Sequence, residues 1–255
     1  MINFFSDIDN TLIYSHRKAE QAIFGDLLIA EYLNGYAQSY MTKKTFDFLA
    51  AAKDLFFVPT TTRTPEQYAR LSDFFSNFGC RYALVCNGGI LLDNNRVDPA
   101  WTDETLALAM PELSSFYEAE RLIHFMYPNK EMHKVEKMLL YFKSEYPEVI
   151  ADELSAILNT TELNIFSDSR KVYCTPASIN KGNALKRFSS KFGLSRVIAA
   201  GDSVQDVPML KSADIPILTE AIAEKVCNPD KIVCSEKAVF SDFICDFLTS
   251  TMTGG

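Results

Sequence analysis

The chain has 255 residues, 47% of them hydrophobic and 23% charged, which is the balance of a folded globular protein and excludes a disordered or collagen-like chain. At roughly 150 residues per domain, this length makes one large domain or two ordinary ones. A net charge of −8 with no local basic patch repels phosphate polyanions and excludes nucleic acid as a general partner.

The run from Met1 to Ser6 carries no basic residue and meets Asp7 at once, so it reads as a buried strand over Ile2–Phe5 and not as a secretory signal. The strand ends in Asp7 and Asp9, two carboxylates that share one face of an extended chain. Ligands of open parallel sheets bind beyond the carboxyl ends of strands, where this pair falls, although Asp and Asn are also ordinary turn residues there. Next, Asn34-Gly35 stands between aromatic-rich alternating runs from Ala30 to Tyr40 and predicts a projecting hairpin. A strand over Leu55–Val58 then delivers the hydroxyls of Thr60, Thr61 and Thr62 to the start of a helix. Thr64 is its N-cap, Pro65 its first residue, Gln67 completes a capping box and Gly79 closes it. Hydroxyls and amides at such a start can donate to a phosphate oxygen.

After a strand over Tyr82–Cys86, a second insertion starts after Asn87 and ends near Cys174. It carries a hairpin signal at Asp93-Asn94-Asn95, helical patterns near 103–118 and 131–145, and strand-like runs at 121–127 and 162–167, enough for a small α/β domain. A helix from about Asn180 to Gly193 begins with Lys181, and a cation at a helix start is unfavourable unless an anion lies nearby. The strand Val197–Ala200 then brings Asp202 and Asp206 to its carboxyl end through Gly201, and Lys231–Cys234 is the last candidate strand. This alternation predicts an α/β protein with a mostly parallel sheet. Its apolar runs are far shorter than the roughly 18 to 20 residues that cross a bilayer, so no membrane segment is expected. Six cysteines without a C-x-x-C pair or a histidine at zinc-finger spacing fit buried thiols in a reduced, cytoplasmic chain.

Taken together, D-I-D-N-T-L from Asp7, then Thr61, then Lys181, then G-D-S-V-Q-D-V-P-M-L from Gly201 resemble, in the right order, the four motifs of the haloacid dehalogenase-like superfamily of phosphohydrolases. Asn87-Gly88-Gly89, followed by an insertion before the Lys motif, is similar to the subgroup with a cap between motifs two and three. Sugar-phosphate phosphatases, sucrose-phosphate phosphatases and phosphomannomutases belong to it. Asn10 and Thr62 stand where glycine is common, Gln205 where Asn is, and the stretch from Asp7 to Thr61 is long.

The resemblance implies a Rossmann-like core of residues 1–88 and 176–255, with an inserted α/β cap domain at 89–175 that closes over the site. It implies Mg²⁺ held by the carboxylates of Asp7 and Asp202 and the backbone carbonyl of Asp9, with Asp206 as ligand or support, and phosphate oxygens held by Thr61 and Lys181. Asp7 is then the nucleophile that forms an aspartyl-phosphate, and Asp9 the acid and base, its pKa expected to be raised by neighbouring carboxylates. The implied function is magnesium-dependent hydrolysis of a small phosphorylated metabolite, a sugar phosphate. A phosphomutase, a phosphoacceptor signalling domain and a binding protein with a retired site are the alternatives. Tyr32, Tyr36, Tyr40 and Trp101 read first as packing residues and second as contacts to a sugar ring. His16, His124 and His133 read as surface or core residues, with His16 the nearest to the first motif.

Overall fold

A computed structural model describes residues 1–168 and 170–253; Ser169, Gly254 and Gly255 lie outside the description. Its contacts divide the chain into two compact units, Met1–Val97 with Lys181–Gly255, and Asp98–Asn180.

In the first unit, short runs of bulky apolar residues form strands that are buried on both faces, the pattern of a parallel sheet. Among the described residues the main sheet has five parallel strands, in the order Ile232–Cys234, Ile215–Thr219, Val197–Gly201, Ile2–Ser6, Leu55–Pro59. Ser6 is in register with Ala200 on one side and Pro59 on the other, so three strand ends lie level and deliver Asp7, Asp202 and Thr61 to one edge. The strand Ile215–Thr219 is not foreseen from sequence, because Pro216 removes a ladder donor and argues against a strand interior. Tyr82–Val85, expected in the parallel sheet, instead pairs antiparallel with Ile90–Asp93, which pairs with Arg96–Val97. An isolated parallel bridge, Thr60–Leu84, links it to the end of the main sheet. This small sheet keeps residues 90–97 with the first unit, whereas the sequence sets the boundary at 88/89.

The hairpin at Asn34-Gly35 joins Leu27–Leu33 to Tyr36–Thr42, and both turn residues have positive φ, 53° and 80°, as a two-residue hairpin turn of the primed type requires. The helix Pro65–Phe75 has both bonds of its capping box, from Thr64 and Gln67. Below the sheet Phe188, fully buried in the helix Lys181–Phe192, meets Phe5 at 5.4 Å, Tyr82 at 5.4 Å and Phe192 at 4.4 Å between ring centroids.

The second unit holds a four-stranded antiparallel sheet in the order Leu163–Asp168, Lys171–Pro176, Leu139–Lys143, His133–Val135. Alternate residues Leu140, Phe142, Leu163 and Val172 pack against Phe116 and Ile123 of the helix Leu113–Met126 and against Ile150 and Leu154 of the helix Pro147–Ile157. Two sequence expectations are corrected here. Residues 121–127 are not a strand, because Phe116, Ala119 and Ile123 recur at helical spacing and carry the helix through them. Residues 131–145 are not a helix: Glu136 at φ 47° turns the chain, and Leu139–Lys143 finds ladder partners on both sides, so tertiary pairing overrides the helical charge spacing. No helix of the described residues is long and apolar enough to cross a membrane.

Phe188→Ala removes the ring around which this aromatic group packs. It should destabilise the first unit by about 3–5 kcal/mol, read as a lower denaturant midpoint with the fold retained.

Candidate active site

Asp7, the first residue past the strand Ile2–Ser6, is fixed by its N–H donating to the Ala200 carbonyl at 2.9 Å. Lys181, the first residue of its helix and 1% exposed, donates to Asp7 Oδ1 and to Asp206 Oδ1, both at 2.6 Å. The helix macrodipole disfavours a cation at that end, and the two carboxylates supply the missing negative charge. Two glycines permit the close approach. A Cβ on Gly182 would lie 2.3 Å from the Pro208 carbonyl oxygen, and one on Gly201 would lie 2.3 Å from Asp206 Cβ. The other oxygen of Asp206 accepts from the backbone N–H groups of Asp202 and Ser203, at 3.1 and 2.9 Å, and from the Ser203 hydroxyl at 3.0 Å, which fixes the loop carrying Asp202. Asp202 Oδ1 in turn accepts from the Thr11 hydroxyl at 3.0 Å.

Ligand oxygens of Asp7, Asp202 and Asp206 all lie within 4.8 Å of one another. Three carboxylates against one ammonium leave two net negative charges in a largely buried cluster. Burial pushes the Asp7 carboxyl well above its ordinary value of 3.8; Lys181 opposes that shift, while Asp206, Asp202 and Asp9 add to it. Burial alone would lower Lys181, but Asp206 and Asp7 outweigh it and raise it. An all-oxygen donor set with this charge deficit fits a hard divalent cation such as Mg²⁺, which prefers carboxylate and water oxygens.

Thr61 lies beside this cluster, at the end of the neighbouring strand. Its N–H donates to Leu84 O at 2.8 Å and its carbonyl accepts from Asn87 at 2.9 Å, across a turn in which Cys86, Asn87 and Gly88 all have positive φ. The Thr61 oxygen accepts from the Arg63 N–H at 3.2 Å, so its own proton is left to donate. Asn10 has φ 64°, a left-handed conformation that Asn tolerates in place of glycine, whereas the backbone at Thr62 needs no glycine.

Asp9 has surroundings that sequence does not foresee. Carboxylates are expected to dominate there, but the group in contact is the Arg63 guanidinium, with Nε at 2.7 Å from Oδ2 and Nη2 at 2.8 Å from Oδ1. Arg63 Nη2 also donates to Glu31 Oε2 at 2.9 Å, and Glu31 accepts from Arg70 Nε at 2.7 Å and from the Ser39 hydroxyl at 2.9 Å. Glu31 belongs to the hairpin, where a break in strand register between Ile29 and Tyr32 lets Ala30 and Glu31 both be buried. An acid in an otherwise apolar strand run was the available signal for it, and the T-T-R sequence the signal for Arg63. Of the aromatic candidates, Tyr32 and Tyr36 are exposed, Tyr40 bonds His16 at 3.1 Å, and Trp101 is fully buried in the second unit. His124 is exposed and His133 stacks on Tyr141 at 4.8 Å.

Burial pushes Glu31 up, but its bonds to Arg63 and Arg70 outweigh that and hold it below its ordinary 4.5. A lowered folded pKa means stability that is complete above 4.5 and is lost as the pH falls through the folded value. The melting temperature of wild type should therefore exceed that of Glu31→Gln at pH 7, with the difference narrowing below pH 4.5.

No curated protein matches the chain. Among solved structures it is similar to the sucrose-phosphatase from Synechocystis sp. PCC6803, crystallised with sucrose and phosphate, at 14% identity and TM-score 0.65 over 97% of this chain and 96% of that one. It is also similar to a subclass IIB sugar phosphatase at 15% identity and TM-score 0.61, over 100% and 99% of the two chains. A trehalose-6-phosphate phosphatase related protein follows at 14% identity and TM-score 0.55, over 99% of each. At these identities the likeness is one of fold. Residues 51–237, which include Thr61, Lys181, Asp202 and Asp206, match the family model of haloacid dehalogenase-like hydrolases, and the chain belongs to that family.

Proposed function

We propose that this hydrolase is a magnesium-dependent phosphatase that removes phosphate from a small phosphorylated metabolite by way of an aspartyl-phosphate on Asp7. The observation that carries this reading is the buried Asp7–Lys181–Asp206 bridge, with Asp202 within ligand distance and Asp9 two residues beyond Asp7. A phosphate monoester dianion repels a carboxylate, so positive charge must meet the phosphoryl oxygens before attack. Lys181 and the Thr61 hydroxyl supply donors for those oxygens. Asp7, Asp202 and Asp206, with the backbone carbonyl of Asp9, would hold Mg²⁺, which when bound neutralises charge on the carboxylates and the phosphoryl group.

In the first step an oxygen of Asp7 bonds to phosphorus, the bond from phosphorus to the leaving oxygen breaks, and Asp9 gives that oxygen its proton. In the second, Asp9 takes a proton from water as the water oxygen attacks phosphorus, the bond from phosphorus to Asp7 breaks, and inorganic phosphate leaves. A carboxylate has about four acceptor sites, and the Arg63 fork uses two of those on Asp9. Sugar phosphates are the favoured substrate class, supported by the sugar phosphatases among the structures of similar fold. The inserted unit, Asp98–Asn180, is assigned as the cap because it enters the chain between Thr61 and Lys181. Six unpaired thiols support a reducing, cytoplasmic setting.

Phosphate release from a panel of sugar phosphates, other phosphorylated metabolites and an aryl phosphate should require Mg²⁺, stop with a chelator, and fall by about 10³-fold or more in Asp7→Asn. Release from none of them by folded wild type would overturn the reading, and conversion to an isomer without release would make the enzyme a mutase. Without substrate, Mg²⁺ at about 100 times its Kd should stabilise wild type by about 2.7 kcal/mol in thermal melts. Asp202→Asn should lose most of that gain.

A further inference from the structure

Asp9 is held by an arginine that is itself held by the hairpin, and we infer that Glu31 is a positioning residue that sets the Asp9 carboxyl through Arg63. The inference rests on the phosphatase reading, in which Asp9 moves the proton.

All three guanidinium nitrogens of Arg63 are engaged: Nε and Nη2 on Asp9, Nη2 also on Glu31, and Nη1 on the Gln67 carbonyl at 3.3 Å. A planar group tied from three directions has a fixed plane, and a two-point fork transmits that plane to the carboxylate it grips. The Asp9 side chain keeps 34% of its surface exposed while it is gripped, so it is oriented without being enclosed. Glu31 is only 4% exposed and has its own supports, Arg70 on Oε1 and Ser39 on Oε2. Replacing a buried ion pair together with its partners by apolar packing of similar volume often costs little stability, so stability alone does not account for an ionic set at this position. The ionic anchor adds direction, and it reaches Asp9 through Arg63, which lies 32 positions from Glu31 in sequence.

The consequence is a leaving-group signature. An alkyl phosphate needs its departing oxygen protonated by a well-placed acid, whereas 2,4-dinitrophenolate leaves from phosphorus without that help. Single-turnover release of the leaving group is therefore measured for an alkyl phosphate and for 2,4-dinitrophenyl phosphate, with Mg²⁺, in wild type and Glu31→Gln. The expected result is a fall of about 10- to 100-fold for the alkyl ester at nearly unchanged KM, the scale of a misplacement of about 1 Å. Release of dinitrophenolate should fall by less than about threefold. An equal fall for both esters, a change in KM alone, or no change would overturn the role assigned to Glu31. If Glu31→Gln does not fold, Arg70→Gln carries the test. It removes one support of Glu31 while leaving Arg63 paired, so it should show the same selectivity at smaller size, and its absence would overturn the role. Wild type inert toward both esters would overturn the phosphatase reading itself, a different failure from an active wild type whose Glu31→Gln slows both esters alike.

Discussion

A buried ammonium at the start of a helix, shared between carboxylates from two different strand ends, is the interaction on which the rest of this site depends. Lys181 lies 2.6 Å from both Asp7 and Asp206. It can do so only because Ser6 and Ala200 are in register, which levels the strand ends, and because Gly182 and Gly201 leave no side chain in the way. Without that cation, burial and like charge would both disfavour an ionised Asp7. Lys181 opposes that shift without cancelling it, so on the proposed reading the rest of the positive charge that keeps Asp7 ionised would come from the divalent cation the three carboxylates would hold.

The two sides of the site differ in charge. Around Lys181, three carboxylates face one ammonium and the deficit calls for a divalent cation. Around Asp9, two carboxylates and two guanidinium groups alternate from Asp9 through Arg63 and Glu31 to Arg70. That second set is balanced, so nothing in it demands a further ion, and its use is geometric. On the proposed reading this division would match the two tasks in phosphoryl transfer: the unbalanced side would hold the cation that neutralises charge, and the balanced side would keep Asp9 at a fixed angle for proton transfer.

Much of this could be read from sequence, for identifiable reasons. Asp7, Lys181, Asp202 and Asp206 stand at strand ends or a helix start, positions that hydrophobic patterning and capping residues mark well, and parallel pairing then brings them together. Thr64, Pro65 and Gln67 encode their helix start locally, and Asn34-Gly35 encodes its turn. The Asp9–Arg63–Glu31 link was not legible, because it joins three segments through side chains, and an inward Glu31 depends on a break in strand register that no local pattern specifies. The inserted unit misled for a related reason. In Leu139–Lys143 the strand is decided in part by partners about thirty residues away, in Lys171–Pro176, while the charges around it keep helical spacing.

The claim that Asp7 carries the phosphoryl group is tested most directly by trapping that group. Enzyme turning over a phosphate ester with Mg²⁺ is quenched in acid and reduced with borohydride, which converts an acyl phosphate to an alcohol, and the peptides are then sequenced by mass spectrometry. The account predicts a reduced side chain at position 7 that appears only when substrate is present. A reduced side chain at Asp9, Asp202 or Asp206, or none at any of the four while phosphate is being released, would contradict it.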